Sequence, residues 1–485
     1  MRSTLKRKDT DNLDGSRIIS YYSEIGRASH KGKGMTEVRS SHRQLIPDIA
    51  DQGKYEPTFL RGIANKARIR PDYRFRDLSR CLDKPFLKHC FWKLNRKSAP
   101  GVDKVTVIEY GKSLDKNIED LISRLKKGSY RAKLVRRKNI PKAPGKTRPL
   151  GIPAIEDKLV QTAVSEILSA IYEQAFYPFS YGYRPKRGAR GAVDDLTVRM
   201  QFGRFGYVVE ADIKGFFNHL DHDVLLKMVA HRVDDKRFIR LINKWLKAGI
   251  LEEDQSIQYP KEGTPQGGSI SPILANIYLH YVIDDWFQRV VKPRCQGDAI
   301  ICRFADDFVC GFQYKADAAR FYKVLPKRLG KFNLQVAEDK THILRFSRFI
   351  PEMKNRFTFL GFEFYWSKDK LGKPRLFKRT SRKKLKAVKA AVTEFVKKHR
   401  HMKIPLLINK LNQKLRGHYN YFGVVGNISA LHIVYSHVIE LLYKWLNRRS
   451  QRKSFTWDRL KNLLSMIQLS KPIIKYQRAP QSVWW

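Results

Sequence analysis

The hydrophobic pattern of the chain switches between helical and strand periods. One segment, residues 156–176, predicts an amphipathic helix because its apolar residues recur at four-residue steps on one face: Leu159, Ala163, Ile167 and Ile171. Residues 207–213 form a short apolar run that is typical of a buried strand. Residues 220–233 then return to a helical pattern, entered through an aspartate cap.

A second group of elements follows the same mixed order. Residues 271–287 predict a helix with Ser271 as its N-cap and Pro272 at the first helical position. Residues 299–312 read as two apolar β-runs around an acidic turn, and residues 356–366 as one strand with an aromatic interior. Helices and strands in this irregular order indicate an α+β fold and not a repetitive βαβ fold.

Two basic segments frame the centre of the chain. Residues 130–153 predict a strand, a Pro/Gly-rich turn and a second strand. Residues 375–401 predict a strongly basic helix whose apolar stripe consists of Leu385, Val388, Val392 and Phe395. A solvated helix face is the plainer interpretation of that basic helix when it is taken alone.

Changes of composition divide the chain into four parts. Residues 1–70 form a polar, basic extension, and 71–370 form the main folded body with dense apolar and aromatic residues. Residues 371–450 form a helical, basic region, and 451–485 a short basic tail.

The charge balance predicts a protein that binds polyanions. Lys and Arg number 96 against 46 Asp and Glu, a formal charge of +50. Nucleic acid and an anionic membrane surface both attract such a chain. Because the basic residues run along the whole length and are not concentrated on one amphipathic helix, nucleic acid is the better interpretation.

Other features limit the class of protein. The five cysteines form no Cys-x-x-Cys pair, so neither a zinc ribbon nor a disulfide framework is predicted. No apolar run approaches the roughly 18 residues of a membrane span, and no secretory signal is present. We therefore expect a protein without membrane contact in the cytoplasm, with the bacterial cytoplasm or nucleoid as first choice.

Paired carboxylates are the candidate chemistry. Asp306 and Asp307 stand between two apolar β-runs, and Asp212 ends the apolar run 207–213. Each acid alone is explained about as well by an ordinary turn or an exposed strand end. Together they suit phosphoryl transfer, because carboxylates on adjacent strands can hold two Mg²⁺ ions roughly 3.5–4 Å apart.

Two loops are weaker signals. The loop 263–269, GTPQGGS, allows its backbone to approach a flat partner closely, although a plain connection is the commoner explanation. The turn of 130–153 carries Lys142 and Arg148, which could clamp a triphosphate, whereas such hairpins are more often surface decoration.

In this order the motifs resemble those of reverse transcriptases encoded by group II introns. The matching segments are KTRPLGIP, YGYRPKRGAR, VVEADIKGFF, GTPQGGSISPILANIYL, CRFADDFVCGF and FLGFEFYW. The resemblance covers about 90–370, and LRGHYNYFGVVGN is similar to the maturase-specific thumb region. It implies a right-hand polymerase with fingers from about 71 to 205, a palm to about 370 and a helical thumb that doubles as a maturase region.

The resemblance also implies roles for single residues. Asp212 and Asp306 would bind two Mg²⁺ ions with help from the Ile213 carbonyl, and Asp307 would lie close by. Contacts to the nucleotide would come from Lys142, Arg148, Phe216 and Gln266. Phe216 would exclude a 2′-hydroxyl, and strand 359–366 would help seat the primer end.

The implied function is that of an RNA-directed DNA polymerase and maturase. Its partners would be an intron RNA template, a DNA target or primer and deoxynucleoside triphosphates, with the oligomeric state left open. Two departures from the family pattern are visible. Phe304 stands where most relatives have Tyr, and no cysteine follows Cys310, so no endonuclease module is expected and the primer would be borrowed.

Two alternatives stay open at this point. The first is a defence- or CRISPR-associated reverse transcriptase, against which the maturase-like segment counts. The second is an RNA-binding splicing factor with a non-functional polymerase site, against which the intact Asp212, Asp306 and Asp307 count.

Overall fold

The computed structural model describes residues 57–143, 146–264, 267–351, 354–449, 451 and 455–474. Within these ranges the helices are Thr58–Ile69, Lys84–Lys93, Val107–Lys112, Leu114–Lys127, Ile155–Tyr172, Ala189–Phe202, His222–Ala230, Lys236–Leu246, Ser271–Leu279, Lys315–Gly330, Arg382–His399, Ile404–Phe422, Ile428–Leu446 and Trp457–Ile467. None of the helices in this part of the chain has the length and apolar character that crossing a membrane requires.

The strands of the described residues form three sheets. The first has the order β2-β1-β4-β5, the second β6-β7-β3-β8 and the third β11-β10-β9. Their bounds are β1 Val135–Ala143, β2 Lys146–Ile152, β3 Tyr207–Asp212, β4 Ile250–Leu251, β5 Ile257–Gln258, β6 Ala299–Phe304, β7 Asp307–Phe312, β8 His342–Arg345, β9 Arg356–Phe359, β10 Phe362–Lys368 and β11 Pro374–Thr380. The mixed helices and sheets confirm the α+β class.

The second sheet is central to the described part of the chain because both of its faces are covered. Along β3, successive side chains point to opposite faces. Val209 and Ala211 enter one core, which includes the helix Ile155–Tyr172. Val208 enters another core, shared with the third sheet and the helices after residue 381. Val208, Glu210 and Asp212 share one face of β3. Val208 is buried, whereas Glu210 and Asp212 nearer the strand end are only partly buried.

Several predicted elements are confirmed. The helix Ile155–Tyr172 is buried over most of its surface, and β1 pairs with β2 as an antiparallel hairpin. The helix His222–Ala230 is capped as predicted, since the Asp221 carboxylate accepts a hydrogen bond from the Val224 amide at 2.9 Å.

The predicted N-cap of the Ser271 helix is wrong. Ile270 takes the N-cap position, and Ser271 is already the first helical residue. The Ser271 hydroxyl is hydrogen-bonded to the Thr264 hydroxyl at 2.8 Å. It therefore links the helix to the glycine-rich loop and does not cap the helix.

The segment 356–366 is a hairpin and not the single strand that its aromatic alternation predicts. The chain reverses at Leu360 and Gly361, whose φ angles of 51° and 80° are both left-handed. β9 and β10 pair on either side of this turn.

The basic helix also begins later than predicted. Residues 374–380 form β11, in which Leu376, Lys378 and Thr380 are buried in alternation with more exposed neighbours. This period of two is that of a strand. The helix starts at Arg382, and of the predicted stripe Val392 is buried while Leu385, Val388 and Phe395 pack against the same core.

Candidate functional site

Strand pairing brings the three predicted acids together. Asp212, at the end of β3, is the direct cross-strand partner of Asp307, the first residue of β7. Residues so opposed have Cα atoms about 4.5–5.5 Å apart. Asp306 lies beside them in the two-residue turn between Phe304 and Asp307.

The electrostatics of this cluster reflect crowding of negative charge. Burial, followed by the charges of Asp212, Asp306 and Glu210, raises the pKa of Asp307 to about 7. Burial and the charge of Asp212 also raise the pKa of Asp306, whereas Lys340 and Arg148 oppose that rise. Burial raises the pKa of Glu210 to about 7. A cation placed here would therefore be strongly attracted.

Lys340 supplies one such cation, and sequence reasoning missed it. Its ammonium group forms an ion pair with the Asp212 carboxylate, and hydrogen bonding to Asp212 raises the pKa of Lys340. The lysine is placed by backbone pairing, since the Ala337 amide donates to the Asp212 carbonyl at 2.8 Å. Its short 3₁₀ turn, Glu338–Lys340, carries no signal in the sequence that points to Asp212.

The acidic turn is held from the interior of the fold by Arg303, whose side chain is fully buried (0% exposed). Its guanidinium donates to both carboxylate oxygens of Asp284, at 2.7 and 2.5 Å. It also donates to the Ser180 hydroxyl at 2.7 Å and to the Ala305 carbonyl at 3.0 Å. The side chain thus ties the turn to two other parts of the fold.

Gly182 completes the support of the turn. Ala305 has a left-handed φ of 56°, and the Gly182 backbone lies so close that a Cβ there would stand 2.3 Å from the Ala305 nitrogen. The Asn276 side-chain amide donates to the Gly182 carbonyl at 2.7 Å. Only glycine allows this approach without displacing the turn.

The predicted nucleotide contacts have different outcomes. Arg148, in β2, is exposed and near enough to Asp306 to affect its pKa. Lys142 belongs to β1, but its side chain lies outside the described residues, as does all of Gln266. The described part of the glycine-rich loop lies against β2, since a Cβ on Gly267 would stand 2.5 Å from the Gly151 carbonyl oxygen.

The structure does not place Phe216 where a nucleotide sugar could reach it. Phe216 is 1% exposed and packs against the rings of Phe217 and Tyr278. Phe217 is half-buried and faces Tyr183, with ring centroids 6.3 Å apart. Because the charge of Asp306 contributes to the raised pKa of Tyr183, the exposed part of this pair borders the acidic turn. After Asp212 the chain leaves strand geometry and enters a 3₁₀ turn, Phe216–Asn218. As a result Phe216 points into the core, whereas the resemblance implies that it faces the nucleotide.

The donor set suits a hard divalent cation. In the described ranges no three His, Cys, Asp or Glu side chains already surround a common point. The three adjacent carboxylates nevertheless have the oxygen chemistry that Mg²⁺ prefers. Ile213 forms an isolated antiparallel bridge with Val336. Of the two hydrogen bonds of this bridge, one is donated by the Lys214 amide and the other is accepted by the Asp212 carbonyl, so neither uses the Ile213 carbonyl.

Two parts of the chain match known families. Residues 140–364 match the family described as reverse transcriptase (RNA-dependent DNA polymerase). Residues 385–463 match the group II intron, maturase-specific domain. Asp212, Asp306 and Asp307 all fall within the first match.

Individual relatives support the same comparison. Protein YkfC of Escherichia coli (strain K12) is 31% identical over 377 residues, which cover 70% of this chain and 96% of YkfC. Group II intron-encoded protein LtrA of Lactococcus lactis subsp. cremoris is 46% identical over 169 residues, covering 34% of this chain and 27% of LtrA. An uncharacterized 91 kDa protein in the cob intron of Schizosaccharomyces pombe is 40% identical over 180 residues, covering 37% and 22%. The alignments therefore span nearly all of YkfC but only about a quarter of the two intron proteins.

The close approach at Gly182 makes a stability prediction. In Gly182→Ala, the new methyl group would collide with the Ala305 backbone, and overpacking of this kind lowers the free energy of unfolding by about 1–3 kcal/mol. Gly417→Ala is the matched control, because a Cβ there also meets nothing within 4 Å, and alanine inside the helix Ile404–Phe422 is favoured over glycine by about 0.5–1 kcal/mol. Urea unfolding measures both. Equal stability of the two variants would contradict the proposed support of the turn.

Proposed function

The chain belongs to the family of group II intron reverse transcriptases and maturases. We propose that it copies RNA into DNA and that its three adjacent acids form the catalytic site. The observation that carries this proposal is the pairing of Asp212 with Asp307, next to Asp306 in the turn. The protein is further proposed to assist splicing and mobility of its intron RNA. The maturase-specific match at 385–463 supports this second part.

Asp212 and Asp306 would hold two Mg²⁺ ions, with the Ile213 carbonyl as a further ligand and Asp307 beside them. When bound, the ions supply charge neutralisation for the primer hydroxyl and the leaving pyrophosphate. Binding would displace the protons of the carboxylates, and the charge of the ions would offset the burial and the mutual repulsion that raise the pKa of Asp307. Lys340 has a largely exposed side chain, 60%, so its ammonium can leave Asp212 and turn to a phosphate.

The nucleotide would lie between the first sheet and the acids. Arg148 is proposed to bind the triphosphate through forked hydrogen bonds, with Lys142 next to it and Gln266 in the pocket wall. For the sugar contact we replace Phe216 by Phe217, since Phe217 is the ring that reaches the surface beside Tyr183.

The remaining regions would hold the nucleic acids. We propose fingers at 71–205, a palm to 370, and a thumb and maturase region at 371–450. The segments 1–70 and 451–485 are proposed as basic extensions, although their described parts include the helices Thr58–Ile69 and Trp457–Ile467 and the maturase-specific match continues to residue 463. The thumb helices would grip a template–primer duplex by its backbone, with little sequence readout. The template would be intron RNA and the primer a DNA strand at the target.

An RNA-binding splicing factor without polymerase activity is the second candidate. It needs only the basic surface, and the formal charge of +50 is compatible with it. The three acids and their support by buried Arg303 favour the polymerase, because a splicing factor gains nothing from crowding carboxylates whose pKa values are raised.

Removing one metal ligand separates the two candidates. Asp306→Asn should reduce primer extension on an RNA template with Mg²⁺ by at least about 100-fold, because preorganised charge stabilisation is lost. RNA affinity should stay within twofold of the unchanged protein. Asp298→Asn is the control, since Asp298 is exposed and lies just before β6. Extension that survives Asp306→Asn would refute the assignment, and tight RNA binding without extension by the unchanged protein would favour the splicing factor.

The two phenylalanines can be told apart by nucleotide selectivity. Phe217→Ala should improve the use of ribonucleotides relative to deoxynucleotides by about 10–100-fold, the range that one pocket contact provides. Phe216→Leu should lower stability and leave the selectivity unchanged, because Phe216 is buried. Single-nucleotide extension assays with each substrate measure the ratio. The opposite pattern would restore the role to Phe216.

A further inference from the structure

A tyrosine from the maturase-matching region reaches the neighbourhood of the acids. Tyr421 is in the last turn of the helix Ile404–Phe422. Its hydroxyl donates to the Leu360 carbonyl at 3.0 Å. Its ring stacks on Phe362, with centroids 6.2 Å apart and planes 13° apart. Both contacts are to the β9–β10 hairpin.

The turn that Tyr421 contacts has a strained backbone conformation. Leu360 has a left-handed φ of 51°, which is unfavourable for a residue with a branched side chain and persists only where other contacts enforce it. Two hydrogen bonds from outside the hairpin hold this turn. One comes from Tyr421, and the other from the Ser381 amide to the Gly361 carbonyl at 2.9 Å.

The first strand of the same hairpin lies next to the acids. The Thr358 amide, in β9, donates to the Glu210 carboxylate at 3.1 Å, which ties the hairpin to β3 two residues before Asp212. Burial raises the pKa of Tyr421, and the charge of Asp307 raises it further. The phenol group of Tyr421 is therefore within electrostatic range of Asp307, while its direct contacts are to the hairpin.

The end of the Tyr421 helix is hydrogen-bonded to the neighbouring sheet through Asn427. Asn427, 1% exposed, accepts a hydrogen bond from the Thr380 amide at 2.7 Å and donates to the Phe422 carbonyl at 2.8 Å. The end of the Tyr421 helix is thereby fixed to β11, the strand that pairs with β10. A displacement of this helix end would move the hairpin with it.

We propose that Tyr421 is a positioning residue for nucleotide addition: by holding the Leu360 carbonyl, it sets the turn that aligns the primer 3′ end with Asp307. This inference rests on the proposed polymerase function and on seating of the primer by the β9–β10 hairpin. It gives the maturase-matching region a direct part in polymerisation, besides any contact with intron RNA.

The test separates alignment of the primer from binding of the duplex. Tyr421→Phe keeps the ring and removes the hydrogen bond to Leu360. The rate constant of the first nucleotide addition, measured in a single turnover from a pre-bound RNA template and DNA primer, should fall about fivefold, the worth of one such bond. The dissociation constant of the duplex, measured by fluorescence anisotropy, should stay within twofold. Tyr421→Leu also removes the stacking on Phe362 and should reduce the rate further.

Tyr419→Phe is the matched control. It lies on the same helix, and its hydroxyl also donates to a backbone carbonyl, that of Ser470 at 3.2 Å, but away from the hairpin. Tyr419→Phe should lower the melting temperature and leave the addition rate unchanged. If both variants lower only the melting temperature, or if Tyr421→Phe weakens duplex binding and not the rate, the inference is wrong. Absence of extension by the unchanged protein would instead refute the proposed function.

Discussion

A guanidinium without access to water holds the acidic turn in place. Arg303 and Asp284 are both fully buried, and their side chains are paired at 2.5 Å. Breaking such a buried pair typically destabilises a protein by about 3–5 kcal/mol. Because the same guanidinium binds the Ala305 carbonyl, the turn cannot shift without disturbing this pair. The place of Asp306 is therefore set by the interior of the fold.

The site also lies where two cores meet on one strand. The side chains of β3 alternate between a core built with the helix Ile155–Tyr172 and one built with the third sheet and the later helices. The acids stand at the open end of that strand. The core with the helix Ile155–Tyr172 thus supports one face of β3, while the third sheet and the helices of the maturase-matching region cover the other face. Polymerase and maturase regions accordingly share one framework.

The parts of the site that are local in sequence could be predicted, and the long-range ones could not. Asp212, Asp306 and Asp307 each end or interrupt a short apolar run. The hydrophobic pattern and the motifs therefore predict that these three acids lie close together. Lys340 and Tyr421 contact partners 128 and 61 residues away, and no spacing rule reports such contacts.

Local conformation explains the remaining misses. The alternation of β3 ends at Asp212, and Gly215, with a left-handed φ of 56°, then redirects the two phenylalanines after it. Leu360 takes a left-handed conformation that leucine rarely adopts, so the hairpin at 356–366 looked like one strand. Residues 374–380 looked like part of a helix because their basic composition hides an alternation of buried and exposed positions.

Asp212 and the acidic turn are proposed to hold divalent ions together. The most direct measurement is the anomalous scattering of Mn²⁺ in crystals of the protein with a primer–template and a deoxynucleoside triphosphate. We expect two Mn²⁺ peaks roughly 3.5–4 Å apart, each ion bound by oxygens of Asp212 and Asp306, with Lys340 released from Asp212. Peaks elsewhere, or an intact ion pair between Lys340 and Asp212 beside a bound nucleotide, would contradict it.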